Sequence, residues 1–286
     1  MPEMKSPKVI LITGGSSGIG FDAARTLARR GHKVYAASRR VDAMEPLRTD
    51  GVIPIRLDIT VAEDRRKCVE RVIAAEGHID VLVNNAGYGY FGAVENVTED
   101  EARAQLEVNL FGLAELCRLV LPHMRMQRSG RIVNVSSVAG RTVLYFGGWY
   151  HVSKYAVEAL SDAMRMELKP FGITVSLVEP GGIRTSWGTI AAEHLRESSL
   201  GTPYEKDALN EAALMEKGYT SNFLSDPKVV TRSIRRATEA RRPRVRYHCG
   251  LGSCLMLVLH AILPARWWDA MLRGAVRTVG PKCRRK

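Results

Sequence analysis

The 286-residue chain is 45% hydrophobic and 25% charged, a balance that suits a soluble globular fold with a full core and excludes a disordered or fibrous chain. Its net charge of +12 is uneven: from Arg241 onward eleven basic residues face one acid, Asp269, leaving +10 in the last 46 residues and +2 in the 240 before them. The nearly neutral body argues against a broad nucleic-acid-binding face, and five scattered cysteines argue against a disulfide framework or a metal site.

Met1 to Lys8 is short and polar, without the layout of a secretory signal, so a cytoplasmic location with reduced thiols is expected. Val9 to Thr13 is an apolar, β-branched run and reads as a buried strand. It opens into Gly14-Gly15-Ser16-Ser17-Gly18-Ile19-Gly20, followed by a helical pattern from Phe21 to Arg30. Strand, glycine-rich turn and helix together let backbone N–H groups approach a pyrophosphate. His32 to Ala37 is a second strand, and Ser38-Arg39-Arg40 stands at its end, where a NAD site usually places an acid. A serine and two arginines suit a 2′-phosphate instead, so NADP is favoured, with Arg39 the better candidate.

Val52 to Leu57 reads as a third strand ending at Asp58-Ile59, and Val61 to Glu76 as a helix. A fourth strand, Ile79 to Val83, runs into Asn84-Asn85-Ala86-Gly87, residues that can lock a turn beside a ligand. Glu99 to Arg128 reads as one long helix that Pro122 kinks or ends. Asn109 lies inside it among apolar neighbours and needs hydrogen-bond partners, whether structural or through a bound water. Arg131 to Val135 is a fifth strand delivering Ser136-Ser137, and Ile173 to Val178 a sixth, followed by Glu179 to Thr185.

Between them a helix carries Tyr150 and Lys154, a phenol and an ammonium one turn apart on one face. That spacing alone is common in ordinary amphipathic helices. A nearby cation would lower a phenol's pKa toward neutrality, where acid–base catalysis works best. Moving it from about 10 to about 7 needs roughly 4 kcal/mol, more than one exposed lysine supplies.

Strands alternating with helices at this rhythm predict an α/β, Rossmann-type doubly wound, mainly parallel sheet of seven strands with helices on both faces. Trp187 to Asp226 reads as a lid over a substrate, Pro227 to Arg241 as a helix and Val245 to His248 as a last strand. Residues 1–248 thus form one domain, and residues 249–286 a basic, apolar extension too short in its apolar run, Leu251 to Leu263, to span a bilayer. The extension's arginines and tryptophans suit a cap over the pocket or a subunit interface, the preferred reading, or a peripheral contact with an anionic membrane surface.

These residues together resemble the short-chain dehydrogenases/reductases from Val9 to about Thr185. The resemblance rests on Thr13 to Gly20, Asp58, Asn84-Asn85-Ala86-Gly87, Asn109, Ser137, Tyr150 with Lys154, and Pro180-Gly181-Gly182-Ile183-Arg184-Thr185. It implies an NADP(H)-dependent oxidoreductase interconverting a carbonyl and an alcohol. Tyr150 would be the general acid or base, and Lys154 would lower its pKa and bind the nicotinamide ribose. Ser137, thirteen residues ahead of Tyr150, would bind the substrate oxygen, and Asn109 would hold a water. Thr13, Gly14, Ser16, Ser17, Gly18, Ile19, Gly20, Ser38, Arg39, Asp58, Ile59, Asn85, Ala86, Gly87, Pro180, Gly181, Ile183 and Thr185 would line the coenzyme cleft. The C-terminal third looks like that of members acting on lipophilic, steroid-like or retinoid-like substrates. Tyr145 and Trp187 are the first pocket candidates, with Tyr88, Phe91, Val143 and Trp149 beside them. The family also implies a homodimer or homotetramer, and a non-catalytic NADP-binding sensor or scaffold is the alternative.

Overall fold

The apolar runs pair into one sheet. The computed structural model, which describes residues 6–185, 187–220 and 224–279, places strands β1 (Val9–Thr13), β2 (Lys33–Ser38), β3 (Ile53–Arg56), β4 (Val81–Asn84), β5 (Gly130–Val135), β6 (Ile173–Pro180) and β7 (Arg246–Cys249). All pairings are parallel, in the order β3-β2-β1-β4-β5-β6-β7. The order reverses between β1 and β4, which opens a crevice at the strands' carboxyl ends.

The helices are α1 (Gly18–Arg29), α2 (Ala62–Glu76), α3 (Glu99–Leu106), α4 (Gly112–Met126), α5 (Gly148–Leu168), α6 (Trp187–Ser199), α7 (Glu205–Thr220), α8 (Lys228–Glu239), α9 (Ser253–Ile262) and α10 (Ala265–Val279). Along β1, Ile10 and Ile12 pack with α1 and α8 on one face, and Val9 and Leu11 with α2, α4 and α5 on the other. This two-sided burial is why the strand is an unbroken apolar run. A one-residue slip would exchange the two sets, and each Leu or Ile side chain so buried contributes about 1.5–3 kcal/mol.

The long helix expected over Glu99 to Arg128 is instead three pieces. Thr98 opens α3 with a reciprocal capping box to Glu101. Glu107–Phe111 then forms a π-turn before α4, which runs through Pro122 to Met126. Asn109 lies in that wider turn, a placement typical of functional positions.

The region from Trp187 folds as the antiparallel-looking pair α6 and α7, whose small residues Ala191, Ala192, Ala208 and Ala212 pack with Phe91, Phe146 and Tyr150. The C-terminal extension holds two helices where only one apolar run was expected. Helix α10 packs on α7 and α9, anchored by Trp268, whose indole N–H donates to the Val143 carbonyl at 2.9 Å. Among the described residues no helix is long and apolar enough to cross a membrane; the basic residues from Lys282 onward lie outside the described residues.

Candidate active site

The turn after β1 takes its shape from its glycines. Gly14 and Gly18 adopt positive φ (70° and 55°), and the Gly14 N–H donates to the Ala37 carbonyl at 2.8 Å. A Cβ on Gly20 would lie 2.3 Å from the Gly14 carbonyl oxygen, so only glycine lets α1 start this close to the loop. No side chain caps α1 and no acid sits in its first turn, which leaves N–H donors and the positive helix end for an anion. The Thr13 hydroxyl accepts from the Asn85 and Ala86 N–H groups, both at 3.0 Å, and the Asn85 amide donates to the Thr13 carbonyl at 3.0 Å. The turns after β1 and β4 are thereby clipped into one wall.

At the end of β2 the Ser38 hydroxyl accepts from the Arg40 N–H at 3.1 Å. Arg39 and Arg40 both line the cleft. Arg40, ranked behind Arg39 from the sequence, is the one whose guanidinium reaches the Ser16 and Ser17 hydroxyls, at 3.3 and 3.4 Å. Arg39 lies toward Asp58 and Tyr88; burial raises the Tyr88 phenol to about 12, with Arg39 opposing the rise. Burial raises the Asp58 carboxyl, but the Thr60 hydroxyl and N–H and then Arg39 more than reverse it, so the group stays below its ordinary value.

Tyr150, Lys154 and Ser137 converge at the ends of α5 and β5, with Tyr150 and Lys154 only 8% and 7% exposed. The Lys154 ammonium donates to the Val135 carbonyl at 3.0 Å and lies 5.9 Å from the centre of the Tyr150 ring. Ser137 is the end residue of a short 3-10 turn, its hydroxyl accepting from the Ala139 N–H at 3.1 Å. That hydroxyl donates to the Pro180 carbonyl at 3.4 Å, and its nearness to the Tyr150 phenol works against the rise that burial gives it. Asn109 lies behind this group and does not line the cleft. Its amide donates to the Tyr88 carbonyl (2.8 Å) and the Ser153 hydroxyl (3.0 Å), and its oxygen accepts from the Tyr88 N–H (3.0 Å). Through these side-chain bonds it ties the turn after β4 to α5.

Burial is the largest influence on the Tyr150 phenol. It drives that phenol above its usual value, with only Ser137 opposing, and the nearby Tyr219 adds to the rise. The same burial pushes Lys154 down to about 8, with Glu158 opposing. Desolvation penalises both charged forms, and the ammonium is directed to a carbonyl rather than to the phenol oxygen.

Behind the site, His151 donates and accepts in turn: Nδ1 lies 2.8 Å from the Ala139 carbonyl and Nε2 accepts from the Leu144 N–H at 2.9 Å. Its burial favours the neutral ring, so it fixes the 138–144 loop against α5. Further back, the Arg246 guanidinium lies 3.0 Å from Glu179, 3.1 Å from Glu158 and 2.6 Å from Asp162, joining β7, β6 and α5.

The cleft is one cavity of about 1020 Å³. Every coenzyme residue expected from the sequence lines it except Gly20, which sits under the loop. Trp187 closes one side, its ring 5.0 Å from Tyr150, 5.7 Å from Phe91 and 6.2 Å from Tyr219 between centres. Tyr145 does not line it: its hydroxyl donates to Asp207 on α7 at 3.4 Å, and the neighbouring Leu144 lines the cavity instead. Val143 and Trp149 are also outside, while Tyr88 and Phe91 are inside. The sequence reading missed Glu211, Met215 and Tyr219, which line the cavity from α7, and Met256 from α9. The signal was available in part, since 211, 215 and 219 recur every fourth residue and so share a helix face. Burial raises the Glu211 carboxyl to about 7 and the Tyr219 phenol to about 12.

The family model for short chain dehydrogenases matches residues 8–194. The chain is 36% identical over 266 residues to the probable short-chain type dehydrogenase/reductase VdlC of Helicobacter pylori, covering 93% of this chain and 97% of that one. It is 35% identical over 237 residues to a 3-ketodihydrosphingosine reductase of Bacteroides thetaiotaomicron, covering 82% and 80%. An alcohol dehydrogenase from the archaeon Thermococcus sibiricus, solved with 5-hydroxy-NADP, superposes with a TM-score of 0.69 at 27% identity over 86% of this chain and 97% of that one. The glycine turn, the Tyr150 and Lys154 pair and these likenesses agree, and the chain belongs to the short-chain dehydrogenase family of oxidoreductases.

Proposed function

We propose that the protein is an NADP(H)-dependent oxidoreductase that interconverts a lipophilic ketone or aldehyde and its alcohol. The observation that carries this reading is the convergence of Ser137, Tyr150 and Lys154 in one cavity with the glycine turn and the two arginines. The residues fit a dinucleotide: the Gly14 to Gly20 turn and the α1 N-terminus take the pyrophosphate, Arg39 and Arg40 the 2′-phosphate, and Asp58 and Ile59 the adenine side. Bound there, the reduced coenzyme supplies the hydride.

The protein's own part is proton transfer and orientation. Ser137 donates a hydrogen bond to the carbonyl oxygen and steadies the charge that builds on it. Tyr150 passes its phenolic proton to that oxygen as the carbon accepts hydride, and the resulting phenolate is stabilised by the Lys154 ammonium. Burial keeps the phenol protonated, the form from which it donates, and Lys154 favours the phenolate that the transfer leaves. In oxidation the same groups run in reverse. Asn109 and His151 hold the flanking turns in place.

The lipophilic assignment rests on the apolar lining around Tyr150, made by Phe91, Leu144, Trp187, Ile190, Met215 and Met256. Assembly as a homo-oligomer through α5 and the π-turn that leads into α4 is supported by exposed apolar side chains there, Phe111, Val152, Tyr155 and Met166. The test is NADPH and NADH consumption across ketones and aldehydes of increasing apolar size. NADPH-dependent turnover that improves with apolar size supports the reading. Coenzyme binding without turnover of any substrate in either direction would favour a sensor or scaffold instead.

A further inference from the structure

Helix α10 already has an inward apolar face. Trp268 is 5% exposed and Val276 2%, four and eight residues along one stripe with Leu272 between them, and this face packs on α7 and the 142–144 loop. A helix so anchored is ordinarily polar on its outer side. Here it is not. Trp267 is 70% exposed and Met271, one turn on, 42%. The preceding α9 repeats the pattern, with Leu255 63%, Val258 55% and Ile262 68% exposed at helical spacing, while Met256 turns inward. Two adjacent helices thus carry an apolar surface that folding of the described residues does not use.

The charges around that surface have one sign. Arg266, Arg273 and Arg277 are exposed along α10, and Asp269, which pairs with Arg273 at 3.7 Å, is the acid in this segment. We propose that the outer faces of α9 and α10 dock on an anionic lipid bilayer, the apolar side chains entering the interface and the arginines meeting the headgroups. An isologous contact with a second copy fits less well, because its two-fold would bring the same arginines against one another. The position of Met256 links this surface to the site. Its sulfur accepts from the Thr142 hydroxyl at 3.8 Å and it lines the substrate cavity, next in sequence to the exposed Leu255. Resting on the lipophilic-substrate reading above, this places the cavity wall beside the bilayer from which an apolar ketone or alcohol would arrive.

The experiment is flotation of the full-length protein with vesicles of phosphatidylcholine alone or mixed with phosphatidylglycerol, alongside sedimentation velocity without lipid. No substrate is needed, so failure here leaves the catalytic reading standing, and success does not depend on it. The wild type is expected to float with the anionic vesicles, and less so as salt is raised. Leu255→Asp and Trp267→Asp should each weaken binding on the order of 10-fold while NADPH binding is kept; if either misfolds, Ile262→Asp serves in its place. Three outcomes overturn the proposal: no flotation with anionic vesicles, flotation untouched by the substitutions, or substitutions that only reduce the size of a lipid-free oligomer, which would assign the face to a second copy of the chain.

Discussion

Gly89→Ala tests how the lid seats on the catalytic tyrosine. A Cβ built on Gly89 falls 2.6 Å from Cζ2 of Trp187 and 3.0 Å from Cδ2 of Tyr150. Ordinary carbon contacts lie at about 3.5–4.0 Å, so the added methyl overlaps the indole by roughly 1 Å. Trp187 cannot swing aside cheaply, because its ring is packed among Phe91, Tyr150 and Tyr219. Relief must come from displacement of α6 or of the indole, and overpacking of this kind costs about 1–3 kcal/mol. For a chain of this size that corresponds to a fall in Tm of about 2–10 °C. The glycine turn is untouched, so NADPH affinity should hold while KM for a bulky ketone changes. Thermal melts, NADPH titration and steady-state kinetics on the variant supply the readouts. An unchanged Tm together with unchanged KM would refute the placement of Trp187 against Tyr150.

The other predictions address the coenzyme, the support behind the site and pH. Arg39→Ala and Arg40→Ala should each remove charge-assisted bonds worth about 1.5–3 kcal/mol, weakening NADPH far more than NADH in titration; equal losses for both would contradict the 2′-phosphate assignment. Arg246→Ala strips a cation from Glu158, Asp162 and the fully buried Glu179, and the urea midpoint should fall by the equivalent of about 3 kcal/mol; a loss within 0.5 kcal/mol, the usual ~0.5 scale of surface changes, would show the cluster to be idle. His151 is held below its ordinary value of 6.5 by burial. Its stabilising contribution is therefore present above the unfolded pKa and lost as pH falls below it. His151→Gln should lower Tm at pH 8 but flatten its decline between pH 7 and 5, and an unaltered slope would show that His151 does not titrate on unfolding.

What the sequence made legible follows the physics of a two-sided sheet. The strands ending at Thr13, Ser38, Asn84 and Val135 are buried on both faces, so their apolar runs are continuous and their polar ends stand out. The Tyr150 and Lys154 spacing needs only one helical turn and was equally readable. Features set by contacts distant in sequence were not. The π-turn at Asn109 is tied to the Tyr88 backbone and to Ser153, both distant in sequence. That Leu144 and not Tyr145 lines the cavity goes with the bonds of Tyr145 to Asp207 and of the Leu144 N–H to His151. The outer apolar patch of α10, Trp267 and Met271, was not legible because which side of the helix stays exposed is set by its docking on α7. The rise of the Tyr150 phenol came from the depth of its burial, which no spacing reports.

The most direct test of the central claim pairs wild type with Tyr150→Phe. NADPH consumption with an accepted ketone is measured for both, and NADPH affinity is titrated in parallel. A positioned general acid contributes about 100- to 10,000-fold, so turnover should fall by that order while NADPH affinity stays the same. Equal turnover by the two proteins would mean that Tyr150 is not the proton donor, and loss of NADPH binding in step with activity would mean that it serves the coenzyme rather than the chemistry.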